Sequence, residues 1–236
     1  MAKKNTHNRS FWKRLLRLLV IAGIAWLALS IIVLLVLRWV PPPTSAFMLR
    51  QELSGKTVDY RWEPMARISP QAALAVIASE DQNFFNHWGI DFQAVADAVV
   101  DNRSRRRPRG ASTISQQVAK NLFLWPAASY LRKGFEVYFT LLMELLWPKA
   151  RILEVYLNIA EMGPGVFGVE AAAHRYYGIP AARMNRRQAA MLAAVLPNPR
   201  QMSAAHPSDY VVRRTWQIMV QMQRLGGTAF LSSEGL

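Results

Sequence analysis

Residues 69–91, SPQAALAVIASEDQNFFNHWGID, run an apolar segment straight into a pair of acids. Ser69 fits a helix N-cap and Pro70 the first helical position, so the spacing predicts a helix over 70–79. Glu80 and Asp81 then fall at its C-terminal end. The helix dipole and loss of water both disfavour a charged carboxylate there. Such a group is a candidate general acid or base, because proton transfer works best when its pKa lies near working pH. His87 and Asp91 could orient or neutralise their neighbours. The plainer alternative is a helix end with solvated acids and a core pair of aromatics, Phe84 and Phe85.

Outward toward the N-terminus, residues 18–37 carry no charge and are long enough to cross a bilayer as a helix. Lys3, Lys4, Arg9, Lys13, Arg14 and Arg17 precede them, and Arg38 follows. This asymmetry predicts the N-terminus in the cytoplasm and everything after Trp39 outside. The apolar run is longer than the core of a cleaved signal peptide, so an uncleaved anchor is expected. Pro41-Pro42-Pro43 stops that helix and begins a stiff spacer. The chain has 236 residues, 52% of them apolar, and a net charge of +14. That charge points to an anionic partner: lipid, phosphorylated substrate or nucleic acid. The anchor ranks nucleic acid last. The chain has no Cys, which excludes disulfides and thiolate chemistry.

Further along, 44–68 is mixed, with a short extended piece near 56–62, and 92–100 reads as a helix. Arg103, Arg105, Arg106, Arg107 and Arg109 form a run suited to solvent or to anionic lipid heads. Gly110 opens a tight entry, and Ser112 or Thr113 can cap a helix through Asn121. Gln116, Gln117 and Lys120 on that helix offer amides for sugar hydroxyls and a cation for phosphate, or an ordinary amphipathic face. A greasy helix follows over 131–146. Glu136 can pair with Arg132 and Lys133 on it, and Glu136 and Glu144 are expected to face a cleft or a partner. A helix over 149–161 precedes Gly163-Pro-Gly165-Val-Phe-Gly168. This fits the dinucleotide pattern literally, yet it follows a helix instead of a strand, so it reads as a glycine-hinged turn. Helices over 169–177, 186–196 and 207–225 complete a mainly α chain. No metal-ligand spacing of His residues appears. Isolated acids, amides and cations beyond a membrane suit transfer of a sugar from a lipid-linked phosphate, or lysozyme-like hydrolysis.

Four ordered motifs carry a resemblance. They are Glu80-Asp81-x-x-Phe84-x-x-His87-x-Gly89-x-Asp91; Gly110-x-Ser112-Thr113-x-x-Gln116-Gln117-x-x-Lys120-Asn121; Arg132-Lys133-x-x-Glu136; and Ile152-Leu153-Glu154-x-Tyr156-Leu157-Asn158. A weaker fifth is Gln188–Ala193, leading to Pro197. Together they resemble the peptidoglycan glycosyltransferases, in their monofunctional, membrane-anchored form. The resemblance implies a lysozyme-like α lobe plus a smaller membrane-proximal jaw lobe after one transmembrane helix. The expected organisation is a basic N-terminus (1–17), an anchor (18–38), a linker (39–66), a glycosyltransferase domain (67–225) and a tail (226–236). The implied substrates are lipid II and the undecaprenyl diphosphate-linked glycan, at the outer face of the bacterial cytoplasmic membrane. Membrane lipids and other cell-wall synthesis proteins are the implied partners.

By the same resemblance Glu80 is the catalytic base. Glu136 is the second carboxylate, near the diphosphate or an associated divalent cation, Mg or Mn. Lys120, Arg132 and Lys133 are implied on the diphosphate. Asp81, Phe84, His87, Ser112, Thr113, Gln116, Gln117, Asn121 and Asn158 are implied around the substrate. Many members carry an Arg at the position of Ala128. Either Arg132 or the 103–109 run substitutes for it, or the leaving group is less stabilised, by about 2–4 kcal/mol. A muramidase on the same fold and a non-enzymatic membrane scaffold are the rival readings.

Overall fold

The computed structural model describes residues 6–102, 112–127 and 129–236. The arginine run 103–109, Gly110 and Ala128 lie outside the described residues. Two compact units divide the chain, one ending at Val40 and one running from Pro41 to Leu236.

The first unit is helix α1, Thr6–Trp39. Its stretch Phe11–Trp39 is long and apolar enough to cross a membrane. At about 1.5 Å per residue its 29 residues span about 44 Å, against about 30 Å of hydrocarbon.

The second unit is mainly α, as the sequence predicts. Its elements are α2 (Ala46–Leu53), β1 (Asp59–Tyr60), α3 (Pro70–Glu80), α4 (Phe92–Asn102), α5 (Ile114–Phe123), α6 (Tyr130–Leu146), α7 (Lys149–Ile159), β2 (Glu161–Gly163), β3 (Val166–Phe167), α8 (Val169–Tyr177), α9 (Arg186–Val195), α10 (Asp209–Arg224) and α11 (Thr228–Ser233). Helix α3 is the hub. The Ser69 hydroxyl accepts from the Gln71 N–H at 3.3 Å, and Pro70 stands in its first turn. Every residue from Ala72 to Ala78 is buried, because α9, α10 and α11 pack around it and α7 touches it. Ile77 is fully enclosed, so Ile77→Ala would cost about 2–5 kcal/mol. A second group forms where α5 lies against both α6 and α7.

The structure departs from the sequence reading in four places. Residues 46–53 form a helix where mixed structure was expected, with Ser45 accepting from the Met48 N–H. The helix expected over 149–161 ends at Ile159, and Glu161 enters a strand. The glycine-rich turn is a hairpin whose second strand, β3, pairs antiparallel with β2 and parallel with β1. The last predicted helix is followed by a further one, α11, begun at Gly227. Gly168 ends the hairpin at φ +85°, where an added Cβ would lie 2.4 Å from the Asn158 carbonyl, so only glycine fits.

Candidate active site

Helix α3 delivers Glu80 to the edge of a hollow of about 270 Å³, lined also by Asp81, Asn83, Asp91, Ser112 and Thr113. Gln117 of α5 donates from Nε2 to Glu80 Oε2 at 2.9 Å. Tyr156 of α7, fully buried, donates its hydroxyl to Gln117 Oε1 at 3.1 Å. The amide is therefore fixed, oxygen toward the tyrosine and nitrogen toward the carboxylate. Burial, reinforced by the Asp81 charge, pushes the Glu80 carboxyl up; the Gln117 hydrogen bond, Arg214 and Lys120 pull it back. Burial, with Glu80 and Asp81 adding to it, pushes the Tyr156 phenol far up, so it stays a donor.

On the other side of Gln117 lies a hollow of about 530 Å³, lined by Phe47, Lys120, Asn121, Tyr156, Asn198 and Arg200 among others. Lys120 sits one turn beyond Gln117 on the same helix, 5.8 Å over the Phe47 ring. Among the described residues its ammonium has no hydrogen-bond or ion-pair partner. Burial pulls the Lys120 pKa down, with Arg132 and Lys133 acting the same way and Glu136 and Glu80 opposing them. All four charges therefore act on Lys120. Glu136 is 2% exposed, and its two carboxylate oxygens are taken by Arg132 and Lys133. The intrahelical pairing and the inward-facing carboxylate thus coexist.

Several residues expected to hold substrate are bonded into the scaffold. Phe84 is fully enclosed and cannot reach a ligand. Asp81 accepts from the Ile114 N–H at 3.0 Å and pairs with His87 Nε2 at 3.0 Å, tying the end of α3 to the start of α5. His87 is committed to that pair. Its carbonyl accepts from Lys149, which also pairs with Glu144. Thr113 donates to the Gly89 carbonyl at 2.6 Å, and with Gln116 it closes a capping box. Asn158 is wholly buried: Oδ1 accepts from the Glu63 N–H, and Nδ2 donates to the carbonyls of Glu63 and Glu154. Identity at a motif position does not fix which way a side chain points, and Phe84 and Asn158 are wholly enclosed. Of the expected residues, Glu80, Asp81, Ser112, Thr113, Gln117, Lys120 and Asn121 border the two hollows.

Two residues near Glu80 had no assigned site role. Tyr156 falls inside the fourth motif, where no role was assigned to it. Arg214, on α10, lies beyond the five motifs; its signal is a cation beside an apolar stripe.

The Transglycosylase family model matches residues 48–223. The chain is 52% identical over 219 residues to the biosynthetic peptidoglycan transglycosylase of Pseudomonas syringae pv. syringae strain B728a, covering 90% of this chain and 93% of that protein. It is 52% identical over 223 residues to its counterpart in Pseudomonas putida strain W619, covering 92% and 94%. The Pseudomonas entomophila strain L48 protein of the same name is 51% identical over 216 residues, covering 89% and 92%.

Proposed function

The chain belongs to the transglycosylase family, and from that premise we propose how its residues carry out the reaction. It is a peptidoglycan glycosyltransferase, which polymerises glycan strands from lipid II. The observation that carries the mechanism is the chain Tyr156–Gln117–Glu80, with Lys120 one helical turn away.

Lipid II enters the hollow at Glu80 and the growing strand, on its diphosphate, lies in the larger hollow at Lys120. The 4-hydroxyl oxygen of lipid II attacks the anomeric carbon of the strand from the face opposite the diphosphate. Glu80 takes the hydroxyl proton as the new C–O bond forms. The old C–O bond breaks with its electron pair leaving on the diphosphate, so an α linkage becomes a β-1,4 bond. Lys120 meets the charge that develops on the leaving oxygens, a role worth about 3–4 kcal/mol for a well-placed donor. Glu136 acts at one remove: it holds Arg132 and Lys133 together beside the groove. Ser112 and Asn121, exposed to the two hollows, bind sugar or phosphate oxygens.

A resident Mg²⁺ or Mn²⁺ at Glu136 does not fit these residues. Both carboxylate oxygens are occupied by cations, and among the described residues no three His, Asp or Glu side chains gather into a metal site. A divalent cation would instead come with the diphosphate oxygens.

The basic residues that precede position 18 support an N-terminus in the cytoplasm, with the enzyme on the outer face of the cytoplasmic membrane. Polymerisation of labelled lipid II by wild type and Glu80→Gln tests the reading. The amide cannot accept the proton, so Glu80→Gln forms no strand while melting as a folded protein. Wild-type polymerisation by Glu80→Gln, or muropeptides released from finished peptidoglycan, would overturn it.

A further inference from the structure

A third hollow, of about 470 Å³, adjoins the one at Lys120, with Phe47, Pro126 and Arg200 on the walls of both. Arg50 and Lys56 join Arg200 around it, and among the described residues no acid lines it. Arg50 follows Phe47 by three residues on α2, one turn farther from the ring that Lys120 overlies. Arg200 comes from the segment after α9 and is fixed in place. Its Nε donates to both carboxylate oxygens of Glu161 at 3.1 Å. The buried Gln51 amide donates to the same carboxylate at 2.8 Å, which ties the pair to α2. Among the described residues, the two terminal nitrogens of Arg200 have no hydrogen-bond partner, and Arg50 and Lys56 make no ion pair. Like charges gathered round one hollow repel unless an anion settles among them. A guanidinium with its outer N–H groups free is shaped for a carboxylate or a phosphate.

We propose that this hollow is a subsite for the trailing strand, where Arg50, Lys56 and Arg200 bind carboxylates of the peptides that peptidoglycan carries on alternate sugars. This rests on the reading of the Lys120 hollow as the place of the growing strand. With the diphosphate at Lys120, sugars farther along the strand can run past Phe47 into the adjoining space. Sugar hydroxyls are neutral and call for no cluster of cations. The anionic groups of the strand away from its diphosphate are the peptide carboxylates. Holding them keeps the strand on the enzyme between transfers, so the contact governs how many units are added before release.

The test sizes the strands that the full-length protein makes from labelled lipid II in vesicles of neutral lipid. The rate of the first coupling, two lipid II molecules into one, is the reference, because that donor trails no strand. Arg50→Gln/Lys56→Gln should shorten the mean strand about two- to fivefold relative to this reference, the range for exposed ion pairs. Lipid II whose peptide carboxylates are converted to amides should shorten wild-type strands as much, and the double variant should then add nothing further. Arg200→Gln should act likewise; if losing the Glu161 pair unfolds it, the double variant, which breaks no ion pair, decides alone. Strands of wild-type length from the double variant overturn the inference, as does a shortening matched by an equal loss in the first coupling. It is also overturned if strand length responds to added anionic lipid and ignores peptide amidation, since the hollow then takes a lipid phosphate. Wild type that couples no lipid II brings down the reading of the enzyme itself. Normal polymerisation with no change in length across the variants loses only the subsite.

Discussion

Asn158→Asp changes one atom and puts the bracing role of Asn158 to the test. One aspartate oxygen still accepts from the Glu63 N–H, which Asn158 now engages at 2.7 Å. The other would meet the carbonyls of Glu63 and Glu154, acceptors that Nδ2 now serves at 2.9 and 2.8 Å. An ionised carboxylate between two carbonyls in a site with no exposure is untenable, so the aspartate takes a proton. Full burial raises a carboxyl by about 3–5 pH units, and taking about 3 gives a cost of about 4 kcal/mol near neutrality. In a unit of this size that is about 8–16 °C in Tm. The sign follows from the raised folded-state value. The folded form holds its proton more tightly than the unfolded chain. The deficit therefore grows as pH rises from about 4 toward the raised value, and it shrinks at pH 5. Thermal melting in detergent at pH 5.0 and 7.5 measures it. If the variant melts with wild type at both values while its KM for lipid II rises, Asn158 reaches the substrate and the scaffold assignment is wrong.

Three further outcomes follow from the site. Glu80 is pushed up by burial, so its ionised form opposes folding above its unfolded pKa; Glu80→Gln should melt above wild type at pH 8, with the gain closing toward pH 4. Tyr156→Phe removes the hydroxyl that fixes Gln117; at about 1 kcal/mol for one hydrogen bond, kcat should fall about fivefold with KM little changed, measured by single-turnover polymerisation. Lys120→Met keeps the aliphatic packing on Phe47 and loses the charge, so kcat should drop about 10²–10³-fold with an unchanged Tm; a loss confined to Tm would remove Lys120 from the diphosphate.

Much of the fold is written in local chemistry. Ser69-Pro70, the Asn185–Gln188 box and Gly178 mark helix ends that the structure reproduces, because capping depends on a few adjacent atoms. Helix α2 was missed although Ser45 caps it, since its eight residues show little of a repeating apolar face. The β2–β3 hairpin was missed because the helical pattern continues into Glu161, and the strand is set by pairing across Pro164-Gly165. The site divides similarly. The motifs name Glu80, Gln117 and Lys120, which border the hollows, but give Phe84, Gln116 and Asn158 the same standing. Only packing separates those that face a hollow from those that close the core.

Glu80 and Asp81 are consecutive acids with opposite fates. One opens onto the groove; the other is locked between a helix start and a histidine. Genetics at position 81 therefore cannot separate joinery from voltage. Asp81→Ala would loosen the clasp and at the same moment lift a negative charge from the neighbouring base, and the two consequences pull the proton acceptor in different directions.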